Sequence, residues 1–236
     1  MIDTQKEKEV KKDPKKENML LNIGCNVIIP SLIMTKLSKP EYLGQVYGLV
    51  VALLFPFTYG VIDLIKKKKI NFFSALGLFS ILMTGGIGLL KLNRDWMVIK
   101  ETAIPTLIGI IVLISQFTGK PFVQTFLGQI LDLDKIRSAY EEKSLVQDFN
   151  KILSNSSYLL CSTFFVSGIL NYVLADYILK GAPGSTEFNE SLGKMTAMSV
   201  PVITVPMMLM VGFIMYYLFK NIKKTTDLDF ESFLKQ

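Results

Sequence analysis

Six apolar stretches govern what this chain can become: roughly 19–37, 43–65, 72–90, 96–118, 156–179 and 196–219. Each reaches or approaches the about 20 helical residues needed to cross a bilayer core of about 30 Å. Lipid offers the backbone no hydrogen-bond partners, so runs of this length must satisfy their amides internally, as helices. The period-two alternation of a membrane β-strand is absent. Half of the 236 residues are hydrophobic, which places the chain outside the ordinary soluble class. The sequence therefore predicts an all-α membrane protein with six transmembrane helices.

The segments between the stretches set the organisation. Residues 1–18 hold six lysines and five acids and read as a disordered charged tail. They are too long, and lead into the wrong residues, for a cleaved signal peptide. Residues 19–118 supply the first four spans, 119–155 a cytoplasmic loop, 156–219 the last two spans, and 220–236 a second tail. Lys and Arg number 19 on the side of the two tails and 7 on the other, so both termini are expected in the cytoplasm. "KKKK" at 66–69 fits that lock and is compatible with an anionic-lipid contact.

In the long loop, Phe122, Phe126 and Ile130 share a helical stripe with Val123 and Leu127 beside it. A second helix is expected to start with Asp134 as its N-cap and to present Ile136 and Tyr140, with Phe149, Ile152 and Leu153 following. The expectation is short amphipathic helices lying on the inner membrane face. "DLDFESFL" at 227–234 repeats the pattern, and either segment could dock a membrane-protein partner. No aromatic-interleaved basic patch calls for nucleic acid. Cys25 and Cys161 both fall inside spans, which excludes a disulfide framework, and the absence of histidine removes a zinc site. Without a nucleophile–base pair or carboxylate dyad, neither an enzyme nor a cofactor is expected.

Two fragments share a phrase: "NVIIPSLI" at 26–33 and "ETAIPTLI" at 101–108. Three spans per half would give halves of opposite topology, so a duplication would pair spans 1 with 4, 2 with 5 and 3 with 6. The shared phrase obeys the first pairing. "TYGVIDLIK" and "NYVLADYILK" obey the second, each with a tyrosine four residues before an aspartate. Spans 3 and 6 share little beyond a small-residue start. A 3+3 inverted repeat follows as an expectation. Aligning Pro30 on Pro105 sets Asn26 opposite Glu101, each one turn before a proline that disrupts the helical ladder. Interrupted helices at matching places point to a polar site, with Asn22, Asn26, Pro30, Tyr59, Asp63, Glu101, Pro105, Asn171, Tyr172 and Asp176 as its candidates.

Blander roles stand beside that one. Asp63 with Lys66 or Lys67, and Asp176 with Lys180, match ordinary pairs at helix ends. Glu101 could be a first-turn carboxylate favoured by the helix dipole. The asparagines could be interhelical glue, and "TGGIG" at 84–88 could serve close helix contact. If the aligned register holds, Asn26 and Glu101 meet in the bundle interior, while Lys100, on another face of its helix, snorkels to the headgroups.

The stretch "MTGGIGLLKL…WMVIKETAIPTLIGIIVLISQFTGKPFVQTFLGQILDL" resembles the bacterial intracellular septation protein A group of small polytopic inner-membrane proteins. Gly85-Gly86, Lys100, Pro105-Thr106, Ser115-Gln116-Phe117, Lys120-Pro121, Gln124 and Leu127-Gly128 carry the resemblance, with a looser match through Asn171 and Asn189. It spans about 72–200. The chain also resembles larger bacterial membrane proteins often labelled as transporters. The resemblance implies a bacterial inner-membrane location, a part in envelope upkeep or septation, and contacts with other membrane proteins or further copies of the chain. Gln116, one of the residues that carry it, also stands among the candidate polar residues. Two functions follow as expectations: a small carrier-like or lipid-handling module, or a scaffold contacting division and elongation machinery.

Overall fold

The structure, a computed structural model, describes residues 19–67, 72–118, 121–128 and 131–226. The charged tail, Lys68, Lys69, Ile130 and the "DLDFESFL" segment lie outside the described residues, as does the Phe126 side chain. Helix α1 runs over 19–37. It contains two π-helical turns, Gly24–Ile28 and Ile33–Leu37, on either side of Pro30. Proline has no N–H for the carbonyl four residues earlier, and the wide turns absorb the break. Helices α2 (Gly44–Lys67), α3 (Phe72–Leu89) and α4 (Arg94–Ser115) follow, and a 3₁₀ turn continues α4 to Thr118. Asn93 caps α4 by accepting a bond from the Asp95 amide at 3.0 Å.

Two short helices come next, α5 (Phe122–Leu127) and α6 (Leu133–Glu142). The chain ends in α7 (Val146–Ile178) and the 41-residue α8 (Thr186–Thr226). A π-helical turn, Val200–Thr204, interrupts α8 at Pro201. Among the described residues no strand occurs. Helices α2, α4, α7 and α8 are long and apolar enough to cross a membrane, whereas residues 21–37 of α1 and 75–89 of α3 form shorter apolar helices. The two proline phrases differ in backbone: Pro30 sits between wide turns, and Pro105 sits in regular α-helix.

Small residues set the helix spacing. The most extensive packing joins α4 to α7. A Cβ on Gly168 would come within 2.6 Å of Thr106 Oγ1, and one on Gly109 within 3.3 Å of Phe164. "TGGIG" does serve helix contact, with Gly85 and Gly88 receiving Leu53 and Leu49 of α2. Helix α1 crosses α8 at Gly193, where a Cβ would lie 2.9 Å from the Ser31 carbonyl. Three turns gather at one end of the bundle (38–43, 90–93, 179–185), and α5 and α6 cover the other.

Three expectations are corrected here. The loop's apolar residues do not lie on a membrane face. Val123, Leu127, Leu131, Ile136 and Tyr140 are buried in one core with Ile108 and Val112 of α4, Leu153 and Leu160 of α7, and Ile214, Leu218 and Ile222 of α8. Three helix ends with apolar sides leave a recess, and folding the amphipathic segment into it removes more apolar surface from water than spreading it would. The cap of α6 is Asp132, which accepts from the Lys135 amide at 3.1 Å, so Asp134 falls inside the first turn. Finally, α7 begins at Val146 rather than near 156, and α8 at Thr186, so most of 180–195 is helix rather than loop. Gly181 and Gly184, at φ +76° and +84°, make the remaining turn possible.

Candidate functional site

Four helices line a partly open cavity of about 170 Å³ on the turn side of the bundle. Helix α3 contributes Ser80, α4 contributes Lys100 and Glu101, α7 contributes Asn171 and Leu174, and α8 contributes Met195, Thr196 and Ser199. At 1.5 Å per residue, Glu101 lies about 10 Å inside the start of α4 and Asn171 a similar depth inside the end of α7.

An ion pair occupies one wall. Lys100 Nζ lies 2.7 Å from Glu101 Oε1 and donates to Thr84 Oγ1 at 2.8 Å. Its residue is 7% exposed. This overturns the expectation that Lys100 snorkels outward. Neighbouring helical residues diverge by about 100°, but the four-carbon lysine stem is long enough to bring the ammonium back across that angle. Thr84 rewards the turn inward, and an outward Lys100 would leave a carboxylate unpaired inside the bundle. Glu101 is likewise not a first-turn carboxylate, because α4 starts at Arg94.

The other polar groups are spent mainly as donors to their own helices. Thr196 Oγ1 donates to the Leu192 carbonyl at 2.9 Å and Ser199 Oγ to the Thr196 carbonyl at 2.7 Å. Asn171 Nδ2 donates to the Ser167 carbonyl at 2.8 Å. Since a carbonyl only accepts, that bond fixes the amide orientation and leaves Oδ1 as the group Asn171 offers the cavity. One turn beyond Glu101, Pro105 has no N–H to give the Glu101 carbonyl. The wall is thus rich in acceptors and holds one cation, Lys100.

The remaining sequence candidates go elsewhere. Asn26 does not line the cavity; its Nδ2 donates to the Asn22 carbonyl at 3.0 Å and to Asn22 Oδ1 at 3.1 Å. The register that set it opposite Glu101 placed residues along a helix axis but could not give their distance across the bundle. Pro30 and Pro105 are buried helix residues. Asp176 pairs with Arg94, not Lys180: Arg94 Nη2 lies 2.8 Å from Asp176 Oδ1, and Arg94 Nε donates to the Leu179 carbonyl at 2.9 Å. Those bonds tie the start of α4 to the end of α7. Tyr172 is exposed, while Tyr59 and Asp63 are half-buried near the far end of α2. Gln116 Oε1 accepts from Ser154 Oγ at 3.5 Å, and its buried Nε2 has no partner.

Of the residues singled out in the sequence, Glu101 and Asn171 line the cavity; Ser80, Thr196 and Ser199 line it, and Thr84 backs Lys100, without having been singled out. Hydroxyls at three- or four-residue spacing on apolar helices are the signal that marks them, but such residues also bond back to their own backbone as a matter of course. Among the described residues no group of three or more His, Cys, Asp or Glu could hold a metal. No family model, curated protein or solved structure matches this chain.

Proposed function

We propose that the chain is a small carrier-like protein of the bacterial inner membrane, with the Lys100–Glu101 cavity as its binding site. The observation that carries this reading is the convergence of polar side chains from four helices on one space inside an apolar bundle. A scaffold needs packed helices and an exposed docking face. Among the described residues of the loop helices, the natural docking surface, Val123, Leu127, Leu131, Ile136 and Tyr140 are committed to the protein's own core.

The carrier reading takes six crossings with both termini cytoplasmic. Exposed aromatic residues support it. Trp96 and Phe117 on α4 stand about 31 Å apart along the axis, and Tyr158 and Tyr177 on α7 about 29 Å, close to the thickness of a hydrocarbon core. Aromatic rings favour such boundaries. An inverted repeat is also part of the proposal. The packing of α1 on α2 has its counterpart in α4 on α7, that of α2 on α3 in α7 on α8, and that of α1 on α8 in α4 on α3. The π-helical turn of α8 begins just after Ser199, so the helix that closes the cavity contains a break at which it can bend. The likeness to the septation protein A group agrees with the proposed location.

The test is access from both sides of the membrane. Ser80→Cys, in a chain with Cys25 and Cys161 replaced by alanine, is exposed to a membrane-impermeant maleimide. The reagent is applied to vesicles of each orientation. A carrier gives labelling in both orientations; labelling from one side only, or from neither, would exclude it and leave the scaffold reading.

A further inference from the structure

We infer that the cavity takes a small zwitterion bearing a primary ammonium group and a carboxylate, the class of small free amino acids. The inference rests on the carrier reading and adds the chemical class of its ligand. Size sets the first limit. A cavity of about 150 Å³ holds a benzene-sized guest, so the partly open 170 Å³ here suits a ligand whose buried part has about six to eight heavy atoms.

Charge sets the second. The lining holds one cation and one anion, Lys100 and Glu101, and the pair is closed on itself at 2.7 Å. A simple cation that displaced Lys100 from Glu101 would leave a second positive charge in the bundle, and a simple anion would strand Glu101. Either is costly away from water. A zwitterion replaces both halves at once: its ammonium takes the place of Lys100 on the Glu101 carboxylate, and its carboxylate takes the place of Glu101 on the Lys100 ammonium. The net charge of the site does not change.

Hydrogen bonding sets the third limit. An ammonium brings three donors and needs three acceptors. Glu101, Asn171 Oδ1 and the oxygens of Thr196 and Ser199 are acceptors whose own hydrogens, where they have them, are already given to helix carbonyls. A carboxylate needs donors, and Lys100 has three, of which Thr84 holds one and Glu101 another. Loss of Glu101 to the ligand ammonium leaves two for the ligand carboxylate. An uncharged apolar guest would leave these groups without partners.

The experiment is a thermal-unfolding titration of the purified full-length protein in lipid nanodiscs. The probes are glycine, L-alanine, methylammonium and propionate, at matched ionic strength. Glycine and L-alanine are expected to raise the midpoint, with a shift that grows with the logarithm of concentration above the dissociation constant. Methylammonium and propionate, which each reproduce half of the zwitterion, should leave it in place. A shift from methylammonium equal to that from L-alanine would overturn the inference in favour of a plain cation site, and the same result with propionate in favour of an anion site. No shift from any amino acid would also overturn it. Glu101→Gln should abolish the L-alanine shift, and Asn171→Ala should reduce it at least about tenfold in affinity. A retained shift in both variants would place binding elsewhere. These results are independent of two-sided labelling at position 80, so a failed ligand class and a failed carrier reading are told apart.

Discussion

The two ends of this bundle bury similar apolar side chains around opposite kinds of centre. At the loop end, Val123, Leu127, Leu131, Ile136 and Tyr140 fill a recess with aliphatic and aromatic groups. Its buried polar residues are uncharged hydroxyls, among them Ser156, which bonds to its own helix, and Thr226, which does the same. At the turn end, Met34, Leu49, Met97, Phe188 and Leu192 surround Ser31, Thr84, Lys100 and Asn189. Each half keeps two buried atoms without a partner among the described residues: Ser31 Oγ and Asn189 Oδ1 here, Gln116 Nε2 and Ser157 Oγ toward the loop end, so the contrast lies in the buried charge of Lys100. Both π-containing helices have their wide turns beside this second core. An apolar core gains stability from every group it buries, whereas a polar one trades some of it for a site. The loop end should therefore anchor the fold, and the turn end should respond to charge.

The largest expected effect tests the anchor. Tyr140 is completely buried, and its ring centroid lies 5.2 Å from that of Phe149. Tyr140→Ala should cost about 3–5 kcal/mol, the usual loss for a buried aromatic truncation, measured by denaturant unfolding in mixed micelles. A cost below about 1 kcal/mol would mean that α6 is an appendage, and the contrast between the two ends would fail.

Charge tests the other end. Lys100→Met strands the Glu101 carboxylate, whose side chain is 21% exposed. Removing one partner of a buried pair costs about 3–5 kcal/mol, and partial exposure brings the expectation to about 2–3 kcal/mol. Adding Glu101→Gln to Lys100→Met should restore most of that loss. If the double variant is no more stable than the single one, packing of the lysine stem and not the ion pair holds this wall.

Between the two ends, the contact of Gly168 with Thr106 sets the distance of α4 from α7. Gly168→Ala would push a methyl to 2.6 Å from Thr106 Oγ1 and should cost about 1–2 kcal/mol as overpacking. Thr106→Ala, by removing that oxygen, should relieve it. An unrelieved loss would shift the cause to the backbone of α4, since the Thr102 carbonyl lies 3.6 Å from the same point.

How far these contrasts were legible beforehand depended on the physics behind each one. Apolar length identified every long helix, because a span has to satisfy its own backbone. The small-residue role of Gly85 and Gly88 is local and was legible, whereas the cap expected at Asp134 falls two residues earlier, at Asp132, because either aspartate could accept from the first turn. Two kinds of fact were not local. Whether Phe122 to Leu153 would lie on lipid or fill a recess depends on where the ends of α4, α7 and α8 stand, and an amphipathic stripe reads the same in both cases. Lys100 likewise pairs with its chain neighbour only because Thr84 arrives from α3. The proline alignment fixes depth along a helix and leaves azimuth open, so of its two residues only Glu101 lines the cavity.

The smallest expected effect lies in the Tyr140 hydroxyl. It donates to the Asn221 carbonyl at 3.4 Å, a long bond, so Tyr140→Phe should change stability near neutral pH by about 1 kcal/mol or less. The difference should emerge only in alkali. Burial, opposed by the Thr225 hydroxyl and reinforced by the Asp148 charge, raises the phenol above its ordinary value. The unfolded chain then releases the Tyr140 proton first as pH rises past about 10, and from there it binds fewer protons than the folded chain. Stability from this group is fully present below that pH and is lost as pH climbs through the raised folded value. Wild-type protein should therefore lose stability with pH above about 10 more steeply than Tyr140→Phe, by the slope of one proton. Parallel pH profiles for the two would mean that the phenol at position 140 meets water after all, and the loop end would then be an open recess rather than the closed anchor that sets it apart from the cavity.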